Sequence, residues 1–198
     1  MHRQPLLGML DRYATRYPEE SSVVARIRQL VESTPACFER TCRPGHVTGS
    51  AWVLSHDRTR CLLVHHRKLG RWLQPGGHAD GECQIEQVAL RELQEESGLA
   101  QVELVGCNDE LVPLDVDVHR IPARLDGAGN VVETAHEHHD IRFLVLAATG
   151  QELVLSEESH AVRWFTEQEL MSVTREESVL RMMRKGGPTT GTRECTSQ

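Results

Sequence analysis

The chain has 198 residues and a net charge of −7, a length that suffices for one domain with a full hydrophobic core and an extension. The acidic balance argues against a nucleic-acid polymer or an anionic membrane as partner, and leaves room for a small phosphorylated ligand whose charge a metal and local arginines offset. No apolar run reaches transmembrane length, no signal-like segment opens the chain, and its six cysteines form no C-x-x-C pair, so reduced thiols and a cytoplasmic location are expected.

In residues 5–16, Leu6, Leu10 and Tyr13 fall at helical spacing. Pro18 opens a second helix with the stripe Val23, Val24, Ile27, Leu30 and Val31, and Pro35 follows its end. Residues 1–43 are therefore expected as an N-terminal helical extension. A lid, a homodimer contact and simple packing against a sheet all stay open as its use. From His46 the period changes. Val47, Gly49, Ala51 and Val53 alternate with polar or larger residues, which reads as a strand, and Cys61–Val64 reads as a second, buried one. A helix from about 83 to 97 follows the turn Gln74-Pro75-Gly76-Gly77. Short strands are expected over 102–107, 115–121, 138–146 and 161–165, with Asp126-Gly127-Ala128-Gly129-Asn130 as a turn. Thr166 caps a helix beginning near Glu167, with Glu169 completing a capping box, and a last helix spans about 175–184. The tail 185–198 is rich in Gly, Pro, Thr and Ser and is expected to be disordered. Strands interleaved with helices fit an α/β/α sandwich around a mixed sheet.

The chemistry concentrates in residues 77–99. They hold Gly77 and then Arg91-Glu92-Leu93-Gln94-Glu95-Glu96-Ser97-Gly98-Leu99. On a helix Glu92, Glu95 and Glu96 stand at i, i+3 and i+4 on one face, with Arg91 one turn before Glu95. Such carboxylates repel one another as a bare cluster; a divalent cation with oxygen ligands reverses that cost, and Mg²⁺ is the usual choice beside a phosphate. The opposite face, Ile85, Val88, Ala89 and Leu93, would dock on a core, and Gly98 would end the helix. The bland alternative is an acidic, solvated helix face, which leaves the Gly-Gly turn and the terminal Gly-Leu unexplained.

The spacing resembles the Nudix box, G-x5-E-x7-R-E-U-x-E-E-x-G-U with U a bulky aliphatic. Gly77, Arg91, Glu92, Leu93, Glu95, Glu96, Gly98 and Leu99 fall in register. One position departs: the family's first glutamate falls on Cys83, with an acid, Glu82, one residue earlier. Either Glu82 bends into the role or the loop does without it, because a thiol is a poor partner for a hard cation. The resemblance covers roughly residues 44–184 and implies the Nudix α/β/α fold. It also implies hydrolysis of a diphosphate bond in a nucleoside diphosphate derivative, dependent on Mg²⁺ or Mn²⁺. Glu92 and Glu96 would be the principal metal ligands, Glu95 would hold a further ion, the Gly77 carbonyl would add a ligand, and Arg91 would orient the carboxylates. The turn Trp72-Leu73-Gln74-Pro75-Gly76-Gly77-His78-Ala79-Asp80-Gly81 looks like a subgroup pattern within the family, without a substrate attached. A loop glutamate before the last strand can serve Nudix hydrolases as general base; its distance from Trp164 matches Glu158 better than Glu157.

Asp115, Asp117 and His119 alternate onto one strand face, as do His136, His138, Asp140 and Arg142 on the partner segment. Three uses stay open for this face. It can line a substrate pocket, with His119, His138, Arg124 and Arg142 as contacts; it can hold an accessory transition metal; or it can be a polar surface. His65-His66-Arg67-Lys68 is either a phosphate contact or a basic strand end, with the surface slightly favoured. Two functions of other classes compete with hydrolysis. A non-catalytic ligand sensor would be expected to have lost box acids, and none is lost. An isomerase of the isopentenyl diphosphate type would need a cysteine before the box, where the turn has none.

Overall fold

One strand, β1 (Gly45–Leu54), is buried at every residue and organises the sheet. The computed structural model describes residues 2–107, 110–157 and 159–188. Before β1 come α1 (Gln4–Arg16), a 3-10 turn (Pro18–Glu20) and α2 (Ser21–Ser33). After it come β2 (Cys61–His66), β3 (Arg71–Leu73), β4 (Gly76–His78), α3 (Ile85–Ser97), β5 (Val102–Leu104) and β6 (Asp115–Ile121). A small hairpin, β7 (Arg124–Leu125) and β8 (Val131–Glu133), precedes β9 (His136–Ala147), β10 (Ser159–Phe165), α4 (Glu167–Val173) and α5 (Glu177–Gly186). The main sheet runs β10-β2-β1-β9-β5, with β3 on β2, β4 on β1 and β6 on β9. β1 and β9 are parallel from Gly45↔Glu137 to Leu54↔Leu146, whereas the other pairs are antiparallel, so the sheet is mixed as expected.

Side chains alternate across a strand, and that alternation decides what each face carries. β1 sends Val47, Ala51 and Val53 into a core shared with Val116, Ile141, Phe143 and Val145. α3 packs there through Ile85, Val88, Ala89 and Leu93, the stripe read from the sequence. Truncating a fully buried residue such as Leu93 to alanine costs about 2–5 kcal/mol. α1 and α2 enter the same core through Leu6, Leu10, Tyr13, Val24 and Ile27, so of the uses left open for the extension the structure describes packing. Trp52, Leu54, Cys61 and Leu63 belong to a second core on the other side, closed by Leu170 of α4 and by Val179 and Met182 of α5. Helices thus cover both faces.

Local signals hold at the helix ends. Gly98 caps α3 in the left-handed conformation at φ 77°, which favours a residue without Cβ. The Thr166–Glu169 capping box is formed, a feature worth about 1 kcal/mol. Three boundaries differ from expectation. Pro18 opens a 3-10 turn that leads into α2 rather than the helix itself. β5 stops at Leu104. α5 continues to Gly186 because Lys185, assigned by composition to the tail, is anchored: its Nζ lies 2.6 Å from Glu20 and 2.7 Å from Asp115. The rest of that tail, from residue 189, lies outside the described residues. Among the described residues no helix is long and apolar enough to cross a membrane. Cys37, Cys42, Cys61, Cys83 and Cys107 are free.

Candidate active site

β4 pairs with β1 through Ser50↔Gly76, Gly49↔Gly77 and Thr48↔His78, which lays the Gly-Gly backbone beside α3. A Cβ on Gly77 would stand 2.4 Å from the carboxyl carbon of Glu92, so a side chain there would displace that carboxylate from its place against the turn. The Gly76 N–H donates to Glu96 Oε2 at 3.1 Å. Arg91 donates to the His78 carbonyl at 2.7 Å and to Glu92 Oε1 at 2.9 Å, and its Nε lies 3.9 Å from Glu95. These bonds tie the acidic face of α3 to the turn. Glu96 is only 8% exposed, whereas the Glu95 side chain is 63% exposed, so the three acids form an inner i, i+4 pair and an outer member. The donor set is hard oxygen, from carboxylates beside a backbone cradle that a Cβ would fill. It suits Mg²⁺ or Mn²⁺ and not a thiophilic ion.

The position that departs from the family pattern is also resolved. Glu82 accepts a hydrogen bond from the Gln84 N–H at 2.8 Å and so steadies the entry to α3. Cys83 packs half-buried against the core. Neither lines the pocket, so of the two readings the structure favours a loop that does without the first glutamate.

Sheet register assembles the polar face row by row. β6 and β9 pair Asp115↔Arg142, Asp117↔Asp140 and His119↔His138. β1 and β9 add His46↔His138, Thr48↔Asp140 and Ser50↔Arg142. The first row is closed by charge. Arg142, 2% exposed, donates to Asp140 at 2.7 Å and Asp115 at 2.9 Å and lies 3.2 Å from Asp117. Arg181 and Lys185 bind the same aspartates from α5, and Thr48 and Ser50 donate to Asp140. Burial alone would raise the Asp115 carboxyl, but hydrogen bonds from Arg181 and Lys185 and the Arg142 charge outweigh it and hold it below the usual carboxylate range. Asp117 is likewise depressed: burial opposes ionisation, and the His119 bond, Arg142 and Arg181 overcome it.

This geometry corrects two expectations. Arg142 is not a substrate contact, because three aspartates enclose its guanidinium. Arg124 sits on the β7–β8 hairpin, 69% exposed and 3.5 Å from Glu133, and is not among the pocket-lining residues.

The far row is different. His119 and His138 line a cavity of about 740 Å³, together with His136, and Glu92, Glu95, Glu96 and Arg91 line the same cavity. Thus one pocket receives both the carboxylates of α3 and the histidines of the sheet. His66 and Lys68 also line it, so this basic strand end is not merely outer surface. Sequence reasoning missed His46, His78, Thr48 and Ser50 as parts of this region. The signal was present: His46, Thr48 and Ser50 are the polar half of a strand whose alternate residues are apolar. Ser156 lines the pocket, which brings the loop of Glu157 to it, while Glu158 lies outside the described residues.

Comparison with known proteins places the fold. No curated protein matches the chain. Among solved structures, a NUDIX-family hydrolase from Clostridium perfringens superposes with a TM-score of 0.55 at 21% identity, covering 71% of this chain and 95% of that one. A C. elegans Ap4A hydrolase in a binary complex gives 0.52 at 16% identity, covering 70% and 93%. The E. coli dihydroneopterin triphosphate pyrophosphohydrolase gives 0.50 at 16% identity, covering 73% and 95%. At these identities the likeness concerns the fold. The NUDIX domain model matches residues 45–185, most of the chain and all of the sheet with α3, and the chain therefore belongs to the Nudix family.

Proposed function

We propose that the protein is a Mg²⁺- or Mn²⁺-dependent pyrophosphohydrolase that cleaves the diphosphate bond of a nucleoside diphosphate derivative or a related small molecule. The observation that carries this reading is the convergence of Glu92, Glu96 and the Gly76-Gly77 backbone on one pocket, with Arg91 tethered to Glu92 and to the turn. Glu92 and Glu96 would hold the ion, with the Gly77 carbonyl beside them, and Glu95 would hold a further one from its exposed position. When bound, the ion supplies neutralisation of the diphosphate charge and a lowered pKa for water. Arg91 keeps the Glu92 carboxylate turned toward the cavity by a charge-assisted bond. Glu158 would take the proton of the attacking water, since its loop reaches the pocket through Ser156.

His119 and His138 would contact the substrate from the sheet, and Lys68 would meet a phosphate at the rim. No cysteine is among the described lining residues, so nothing there supports isomerase chemistry.

A phosphate-release screen tests the reading. A panel of nucleotide sugars, dinucleoside polyphosphates, nucleoside triphosphates and coenzyme diphosphates is incubated with the protein and Mg²⁺ or Mn²⁺. Turnover of at least one member, abolished by chelator, is expected. A panel without turnover, with one member that binds and raises the melting temperature, would instead make the protein a ligand sensor.

A further inference from the structure

Five imidazoles crowd one end of the sheet: His46 on β1, His78 on β4, His119 on β6, and His136 and His138 on β9. The His46 ring centroid lies 4.8 Å from that of His138, 5.0 Å from that of His136 and 5.2 Å from that of His78. One nitrogen from each of His46, His136 and His138 falls in a group whose members all lie within 4.8 Å of one another.

Hydrogen bonding shows that these rings are not simply satisfied core histidines. His46 is 1% exposed, and neither of its ring nitrogens makes a well-formed hydrogen bond, although the Cys42 backbone exerts a weak pull on the ring. His138 Nε2 is also buried without a partner. Leaving such groups unmatched costs about 1–3 kcal/mol each, a cost that a ligand would remove. His136 Nδ1 donates to the Thr134 carbonyl at 2.9 Å, which leaves the Nε2 of the neutral ring as a lone pair, with Glu133 Oε1 3.9 Å from it, beyond hydrogen-bond distance. That is the orienting bond a metal-bound imidazole commonly makes. Burial, then the neighbouring imidazoles, push His46 down to about 4 and His138 to about 2. A neutral imidazole is the form that coordinates metal.

We propose that His46, His136 and His138 bind a divalent transition-metal ion of the zinc class, with its remaining coordination position open to the pocket. Three nitrogen donors select such an ion over Mg²⁺, which prefers oxygen. Zn–N bonds of about 2.0–2.1 Å place tetrahedral ligand nitrogens roughly 3.3 Å apart, so the rings would close in by modest side-chain rotations. His136 and His138 line the cavity, so water or a substrate oxygen can take the open position. His78 and His119 flank the site, and His119 is held by Asp117 at 3.0 Å. This site uses none of the oxygen donors of α3 and does not depend on the hydrolase reading.

The test uses untagged full-length protein, stripped with chelator, exposed to Zn²⁺ or Co²⁺ under excess Mg²⁺, and passed over a desalting column. About one Zn²⁺ per chain should be retained, with a raised melting temperature. Co²⁺ should give the intense visible bands of a four-coordinate nitrogen site. His136→Asn and His138→Gln should each weaken retention at least about tenfold and cancel the thermal shift, while Glu96→Gln leaves both intact. His138 is only half-buried, so its variant remains informative if His136→Asn does not fold. Retention that is absent, unchanged in His138→Gln, or lost in Glu96→Gln instead would overturn the site. So would a weak octahedral Co²⁺ spectrum from the wild type, which needs no variant.

Discussion

Arg142 and His138 stand four residues apart on the same face of β9, yet their surroundings differ in kind. Arg142 meets Asp115, Asp117 and Asp140, and Arg181 and Lys185 complete the layer. His138 has a buried nitrogen with no partner and three imidazoles within 5.3 Å, centroid to centroid. The difference follows from charge. A guanidinium is always ionised and cannot be buried unless it is matched, so it becomes structure. An imidazole can be buried neutral, so its lone pair stays available. A polar sheet face is thus not one object: the permanently charged half closes, and the titratable half opens onto the pocket.

The largest effect should come from breaking the closed half. Arg142→Ala leaves three aspartates around an empty site and should destabilise the fold by about 3–5 kcal/mol, read as a lowered denaturant midpoint. Arg142→Lys should recover only part of that loss, because lysine lacks the planar fork.

In the open half the effect should fall on activity. Glu96→Gln should lower kcat by about 10–100-fold or more on any substrate the screen identifies. Its melting temperature in chelator should hold or rise, since Gln still accepts from Gly76 and a repelling charge is gone. A fall in stability with kcat preserved would exchange the roles assigned to the two halves.

Acid should separate the halves in sequence. His46 and His138 titrate in the fold near 4 and 2, below their ordinary 6.5. The unfolded chain therefore binds protons that the fold refuses, and metal-free stability should decline as pH falls from 6.5 toward 4 and below. Asp115 and Asp117 sit below their ordinary 3.8, so their share is intact above that pH and is lost as pH falls further. In a urea titration series, His138→Gln should flatten the decline between pH 6.5 and 4, where the aspartates contribute little, and the steeper fall below 3.8 should persist.

The smallest effect belongs to Cys83→Ser. Its thiol packs half-buried at the core's margin and does not line the pocket. Turnover within about twofold of wild type and a stability change below about 1 kcal/mol are expected; complete loss of activity in a folded protein would give the thiol a role in chemistry.

The carboxylate wall was legible in the sequence because one helix carries it. Spacing alone put Glu92 and Glu96 on one face and Ile85 to Leu93 on the other, and both faces are as read. Alternation on two segments put His119 and His138 each on a polar strand face, but that the two stand opposite one another is a fact of the sheet register. The histidine group was only half visible, since His46 reaches it through the parallel β1–β9 pairing and His78 through β4. Register between distant strands has no local signature. Arg142 was misassigned for the same reason: its partners Asp115 and Arg181's network come from β6 and α5, and a sequence shows a charge without showing whether it is already matched.

The most direct test of the α3 site is an anomalous diffraction map of crystals soaked in Mn²⁺. A peak within bonding distance of Glu92 and Glu96, facing the pocket beside the Gly77 carbonyl, is the expected result. Occupied Mn²⁺ elsewhere in the protein, with none between those carboxylates, would contradict it.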